Sequence, residues 1–164
     1  MLHVRKDEKD FKYFSHTLLE HNDKIKRIAF VGGDRDMAQQ SFLSPLTRCT
    51  FFHCKKHVED DISRKIDDLG LKDIKNEVLL DIFGSDKCKE KGIVDSLEEE
   101  FIAKGDSLVE KWRSMEKVIF PQRTPRFADY FRDHIEEDMK DGMLLSTRRK
   151  PGLKDKLQQF QVQI

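Results

Sequence analysis

Charge of one sign is missing from this chain. Lysine plus arginine and aspartate plus glutamate both number 31, for a formal net charge of zero. The sequence as a whole therefore offers no basic field of the kind that grips nucleic acid without regard to sequence, although local clusters remain. Long apolar runs are missing too. None approaches the roughly 18 residues of a membrane helix, and Met1-Leu2-His3-Val4-Arg5-Lys6 leads into charge rather than into the apolar segment of a secretory signal. No membrane partner is expected. Cysteine is scarce: Cys49, Cys54 and Cys88 are odd in number and follow no framework spacing, which points to a reducing, intracellular setting, nuclear or cytoplasmic. A phosphate loop is absent as well. Gly32-Gly33-Asp34-Arg35-Asp36-Met37 completes neither G-x-G-x-x-G nor G-x-x-x-x-G-K, and no small-molecule substrate is expected.

What is present is a chain of 164 residues, enough for one domain that buries roughly 70% of its extended surface. The stretch from Ile28 to His57 organises it. Ile28-Ala29-Phe30-Val31 stops on Gly32-Gly33 and delivers Asp34, as a buried strand does when its C-terminal end presents a carboxylate to a cleft. A second apolar run, from Cys49 to Cys54, ends on His53 with His57 beyond it. Side by side in a parallel sheet, the two ends would gather Asp34, Asp36 and His53 at one rim, where open α/β sheets place their chemistry.

Around these runs the spacing predicts a helix over 8–20 from Phe11, Phe14, Leu18 and Leu19, ended by Asn22-Asp23. Strands are predicted over 25–31 and 46–52, a short helix over 36–42, and a helix over 55–69 carrying Val58, Ile62, Ile66 and Leu69, with Gly70 as its C′ residue. After Gly70 the period changes. Ile74, Val78, Leu79, Ile82 and Phe83 form a helical stripe ended by Gly84. Val94, Leu97, Phe101, Leu108, Trp112 and Met115 form a longer one over 93–117, in which Gly105 costs about 1 kcal/mol relative to alanine. Pro121 and Pro125 bracket a turn before a third helix over 127–139, and a short strand is expected over 143–145. The expected organisation is an α/β part over 1–70, a helical region over 71–150 and a tail over 151–164 that frays.

Each chemistry-bearing residue has a plain reading beside the functional one. Asp34 and Asp36 read as Mg²⁺ ligands, which take one or two carboxylates with phosphate oxygens and water. Asp34 reads more plainly as a cap on the free N–H groups of the helix that follows. Cys49, His53, Cys54 and His57 are four zinc-ligand types within nine residues, but no second Cys/His cluster closes a structural site. A buried thiol and a hydrogen-bonded histidine are the simpler reading. Lys55-Lys56, Lys111 and Arg113 lie beside acidic residues and read as solvated helix faces. Only Arg148-Arg149-Lys150 is undiluted by acids, and it is the candidate phosphate contact to DNA.

The order F-K-Y-F-S-H-T-L-L, I-A-F-V-G-G-D-R-D-M-A, C-T-F-F-H-C-K-K-H-V-E-D-D-I, L-L-D-I-F-G, I-V-D-S, W-R-S-M-E and F-A-D-Y-F resembles the middle of the catalytic region of Mutator-like element transposases, over most of the chain to about Leu157. The resemblance implies a truncated ribonuclease-H-like α/β core of few strands followed by an all-helical insertion. In the intact family two aspartates and a glutamate hold two divalent ions, Mg²⁺ or Mn²⁺, for DNA strand cleavage and transfer. Asp34 falls on the second aspartate, and His53 on the histidine of a short Cys-x-x-His element, here Cys49-x-x-x-His53. The strand bearing the first aspartate would precede Met1, and Gln158-Gln159-Phe160-Gln161-Val162-Gln163-Ile164 stands where the segment bearing the glutamate is expected.

The expectation that follows is a fragment or exapted remnant of a DDE-type transposase domain, not catalytic alone and without a stably bound metal. Missing strands would leave a sheet edge open to other protein chains. Two further expectations stand beside it. One is a non-enzymatic helical module that binds protein or DNA. The other is a metal-dependent nuclease completed by another chain.

Overall fold

The computed structural model describes residues 8–33, 49–85, 90–150 and 152. It is mixed α/β with a helical bulk. In order come α1 (Glu8–His21), β1 (Phe30–Gly33), β2 (Thr50–His53), α2 (Lys55–Asp68), α3 (Lys75–Phe83), α4 (Glu98–Ile119), α5 (Phe127–His134), α6 (Glu136–Gly142) and α7 (Leu145–Arg149). Short 3₁₀ turns lie at Asp23–Arg27, Lys72–Ile74 and Ile93–Asp95. The expected helix over 36–42 and the tail over 153–164 lie outside the described residues.

β1 and β2 pair in parallel, with Phe30 opposite Thr50 and Gly33 opposite His53. Side chains alternate along a strand, so Phe30 and Phe52 share one face, where their rings meet edge to face at 5.9 Å. Phe51 and His53 share the other, with ring centroids 5.3 Å apart. The strand expected over 25–31 is shorter than its apolar pattern. Asn22 accepts from the Lys24 amide at 3.1 Å, and the Ile25 amide donates to the Asn22 carbonyl at 3.0 Å. This side-chain cap takes residues 23–27 into a 3₁₀ turn before extension can begin.

The helical bulk closes on one core, to which Val58, Ile62 and Ile66 of α2, Val78 and Ile82 of α3, Phe101, Val109 and Trp112 of α4, and Phe127 and Phe131 of α5 all contribute. Trp112 lies 1% exposed at its centre, 5.4 Å from the Phe127 ring and 5.0 Å from that of Phe131. Its indole N–H donates to Asp81 Oδ2 at 2.9 Å, so the ring is buried without an orphan donor. Members of this cluster stand on both sides of Gly70, whose positive φ of 72° ends α2.

A buried carboxylate joins α4 to α5. Glu116 accepts from the backbone amides of Arg126 and Phe127 at 3.0 and 3.1 Å, and from Arg123 Nη2 at 3.1 Å. Arg123 Nη1 also donates to the Leu69 carbonyl at 3.0 Å, which ties in the end of α2.

Three further expected elements differ. The helix expected over 93–117 starts at Glu98, because Ser96 and Leu97 are extended and Ile93–Asp95 forms a separate turn. The helix expected over 127–139 breaks at Ile135, whose φ of −122° leaves the helical region, and resumes as α6. The strand expected over 143–145 is not formed. Met143 and Leu144 are buried core residues between α6 and α7, and so short an apolar run does not distinguish a strand from a packed helix junction.

Glycine marks the closest backbone approach. A Cβ on Gly92 would stand 2.2 Å from the Ile82 carbonyl oxygen, against rigid backbone. At Gly105 it would meet Glu136 Oε1 at 2.9 Å, the far end of a side chain that can swing away. Gly92→Ala is therefore expected to destabilise by about 1–3 kcal/mol. Gly105→Ala is expected to be neutral or to stabilise by up to about 1 kcal/mol through helix propensity. Urea midpoints of the two variants check the contrast.

Candidate functional site

The parallel register brings the C-terminal ends of β1 and β2 together at Gly33 and His53. Asp34 and Asp36, the expected metal ligands, lie outside the described residues, as does Cys88. His53 is 6% exposed, and its imidazole is packed on the backbone of α6. A Cβ on Gly142 would stand 2.4 Å from His53 Cδ2, so the helix can lie this close only because residue 142 is glycine.

The Cys/His element is spread over different environments. Cys49 is half-buried, and its thiol faces the Thr50 carbonyl at 3.8 Å. Burial pushes that thiol above the ordinary cysteine range, because the thiolate would lose water there. Cys54 is buried at the N-cap of α2, with its amide donating to the Gly33 carbonyl at 2.8 Å, while His57 is exposed on the first turn of α2. Among the described residues, no three His, Cys, Asp or Glu side chains converge as metal ligands.

The basic residues divide by how their charge is used. Lys56 pairs with Asp60 at 2.7 Å, Lys55 lies over the Phe83 ring at 5.5 Å, and Arg113 bridges Glu110 and Asp129. Lys111 is held by Glu77 and Asp81 at 2.8 and 2.9 Å. Its partial burial works against the charge, but those two carboxylates outweigh it and hold the ammonium above the ordinary lysine range. The expected phosphate-contacting trio does not act as one surface. Arg148 is turned inward at 1% exposure, where Nη2 donates to Asp95 Oδ1 at 2.9 Å and to the Val94 carbonyl at 3.3 Å. Sequence distinguishes poorly between an arginine that meets phosphate and one that meets an internal acid, because both need the same planar donor set. Arg149 and Lys150 remain exposed.

One feature escaped the sequence reading. A cavity of about 470 Å³ opens between α3, the turn at Ile93–Asp95 and α4, with Leu80, Asp81, Asp95, Ser96, Lys104 and Leu108 on its wall. Ser96 is 3% exposed, and its hydroxyl has no hydrogen-bond partner among the described residues. No spacing could have signalled this wall, since three separate elements build it. Among the described residues, no helix is long and apolar enough to cross a membrane. No family model, curated protein or solved structure matches the chain.

Two outcomes follow from these environments. In a Cys88→Ser variant, native thiol labelling is expected to be slow at neutral pH and to rise only at a pH above that at which the unfolded chain reacts. The sign follows from burial at Cys49, which favours the protonated thiol. Labelling of native and urea-unfolded protein across pH reads it directly. Asp95→Asn leaves the Arg148 guanidinium buried without its counter-charge and is expected to cost about 3–5 kcal/mol. Arg149→Ala and Lys150→Ala are expected to stay within about 0.5 kcal/mol of the parent. Chemical denaturation of the three variants checks this.

Proposed function

We propose that the chain is a fragment or exapted remnant of a DDE-type transposase catalytic region resembling that of Mutator-like elements, and that it does not cleave DNA alone. The observation that carries this reading is the parallel pairing of two successive strands, with Gly33 opposite His53. In this reading the pair belongs to a ribonuclease-H-like sheet. Asp34, the next residue in the chain after Gly33, is then the second of the family's three metal carboxylates. In this reading the helices that follow His53 correspond to the family's helical insertion.

The number of available ligands supports the absence of activity in this reading. Two-metal strand cleavage needs carboxylates that hold both ions and orient the attacking and leaving oxygens. Asp34 and Asp36 offer Mg²⁺ or Mn²⁺ at most two, and Mg²⁺ surrenders its water reluctantly. In this reading the chain alone holds no metal stably.

A second reading, a non-enzymatic helical module, is favoured by the core itself. Among the described residues its buried members begin at Val58, and none of them comes from a strand. The face of α5 and α6 suits a protein better than DNA. Asp129, Asp133, Glu136, Glu137, Asp138 and Asp141 outnumber Arg132 and Lys140 there, and phosphate would be repelled.

The test uses supercoiled plasmid with Mn²⁺ and the purified chain, beside its Asp34→Ala variant. The remnant reading expects no nicking above background from either. Manganese-dependent nicking that disappears in Asp34→Ala would overturn it in favour of a working nuclease. Salt-sensitive retention of DNA, lost when Arg149 and Lys150 are both changed to alanine, would favour a DNA-binding module.

A further inference from the structure

We draw no further inference here: the strongest candidate, the cavity between α3, the turn at Ile93–Asp95 and α4, has Asp81, Asp95 and Lys104 already engaged by Lys111, Arg148 and Glu100, and the other charges on its rim, Glu90 and Lys91, are opposite in sign, so that beyond the Ser96 hydroxyl nothing among the described residues of its wall selects a ligand class.

Discussion

Glu116 lies at 0% exposure between α4 and the segment that leads into α5, and every polar contact it makes is to a donor that needs it. Arg126, at the N-cap of α5, offers no side-chain cap, so the first amides of that helix would otherwise point at nothing. Glu116 supplies the acceptor from the preceding helix, and the positive end of the α5 dipole favours its charge. Arg123 balances that charge and reaches on to the end of α2. Removing one partner from a buried charged set costs about 3–5 kcal/mol, a large share of what a domain of this size has in hand. The direction of the chain after Ile119, the start of α5 and the seating of α2 therefore depend on one carboxylate.

From that corner the rest of the helical body is placed by packing. Trp112 stands one turn before Glu116 and brings Phe127 and Phe131 against it as soon as α5 begins. The break at Ile135 turns the chain so that α6 lies along β2, and Gly142 lets the two approach as closely as His53 allows. The strand pair is thus attached to the helices chiefly through one face of β2. Parallel strands are ordinarily covered on both faces and joined to further strands, and four-residue strands in a pair gain little alone. Among the described residues the sheet has two strands, and the core cluster is drawn from the helices and the turns between them.

The sequence disclosed the elements whose signal is local. The stripe Val58, Ile62, Ile66 and the glycine at 70 define α2 to within a residue, and Phe11 to Leu19 define α1 almost as well. Strand adjacency was legible because two apolar runs separated by a stretch long enough for a crossover leave few topologies. The limits of those strands were not, since a side-chain cap at Asn22 competes with extension over the same residues. Long-range pairing was the least legible. Nothing near Arg148 in the chain announces that Asp95, far earlier in sequence, will draw it inside. Nothing near Glu116 announces that two amides beyond a proline turn will need its oxygens. Of the candidate rim, His53 sits at the end of β2 against α6, and Asp34 and Asp36 lie outside the described residues.

Glu116 and Arg148, both buried, are thus engaged by partners inside the helical body. The claim beneath this is that the Glu116 carboxylate holds the first amides of α5 throughout the native ensemble. Native-state hydrogen exchange of the Phe127 amide tests it most directly. Protection close to that of the core amides, with exchange only on global unfolding, is the predicted result. Exchange as fast as that of the opening amides of α4, where Leu97 provides no side-chain acceptor, would contradict it.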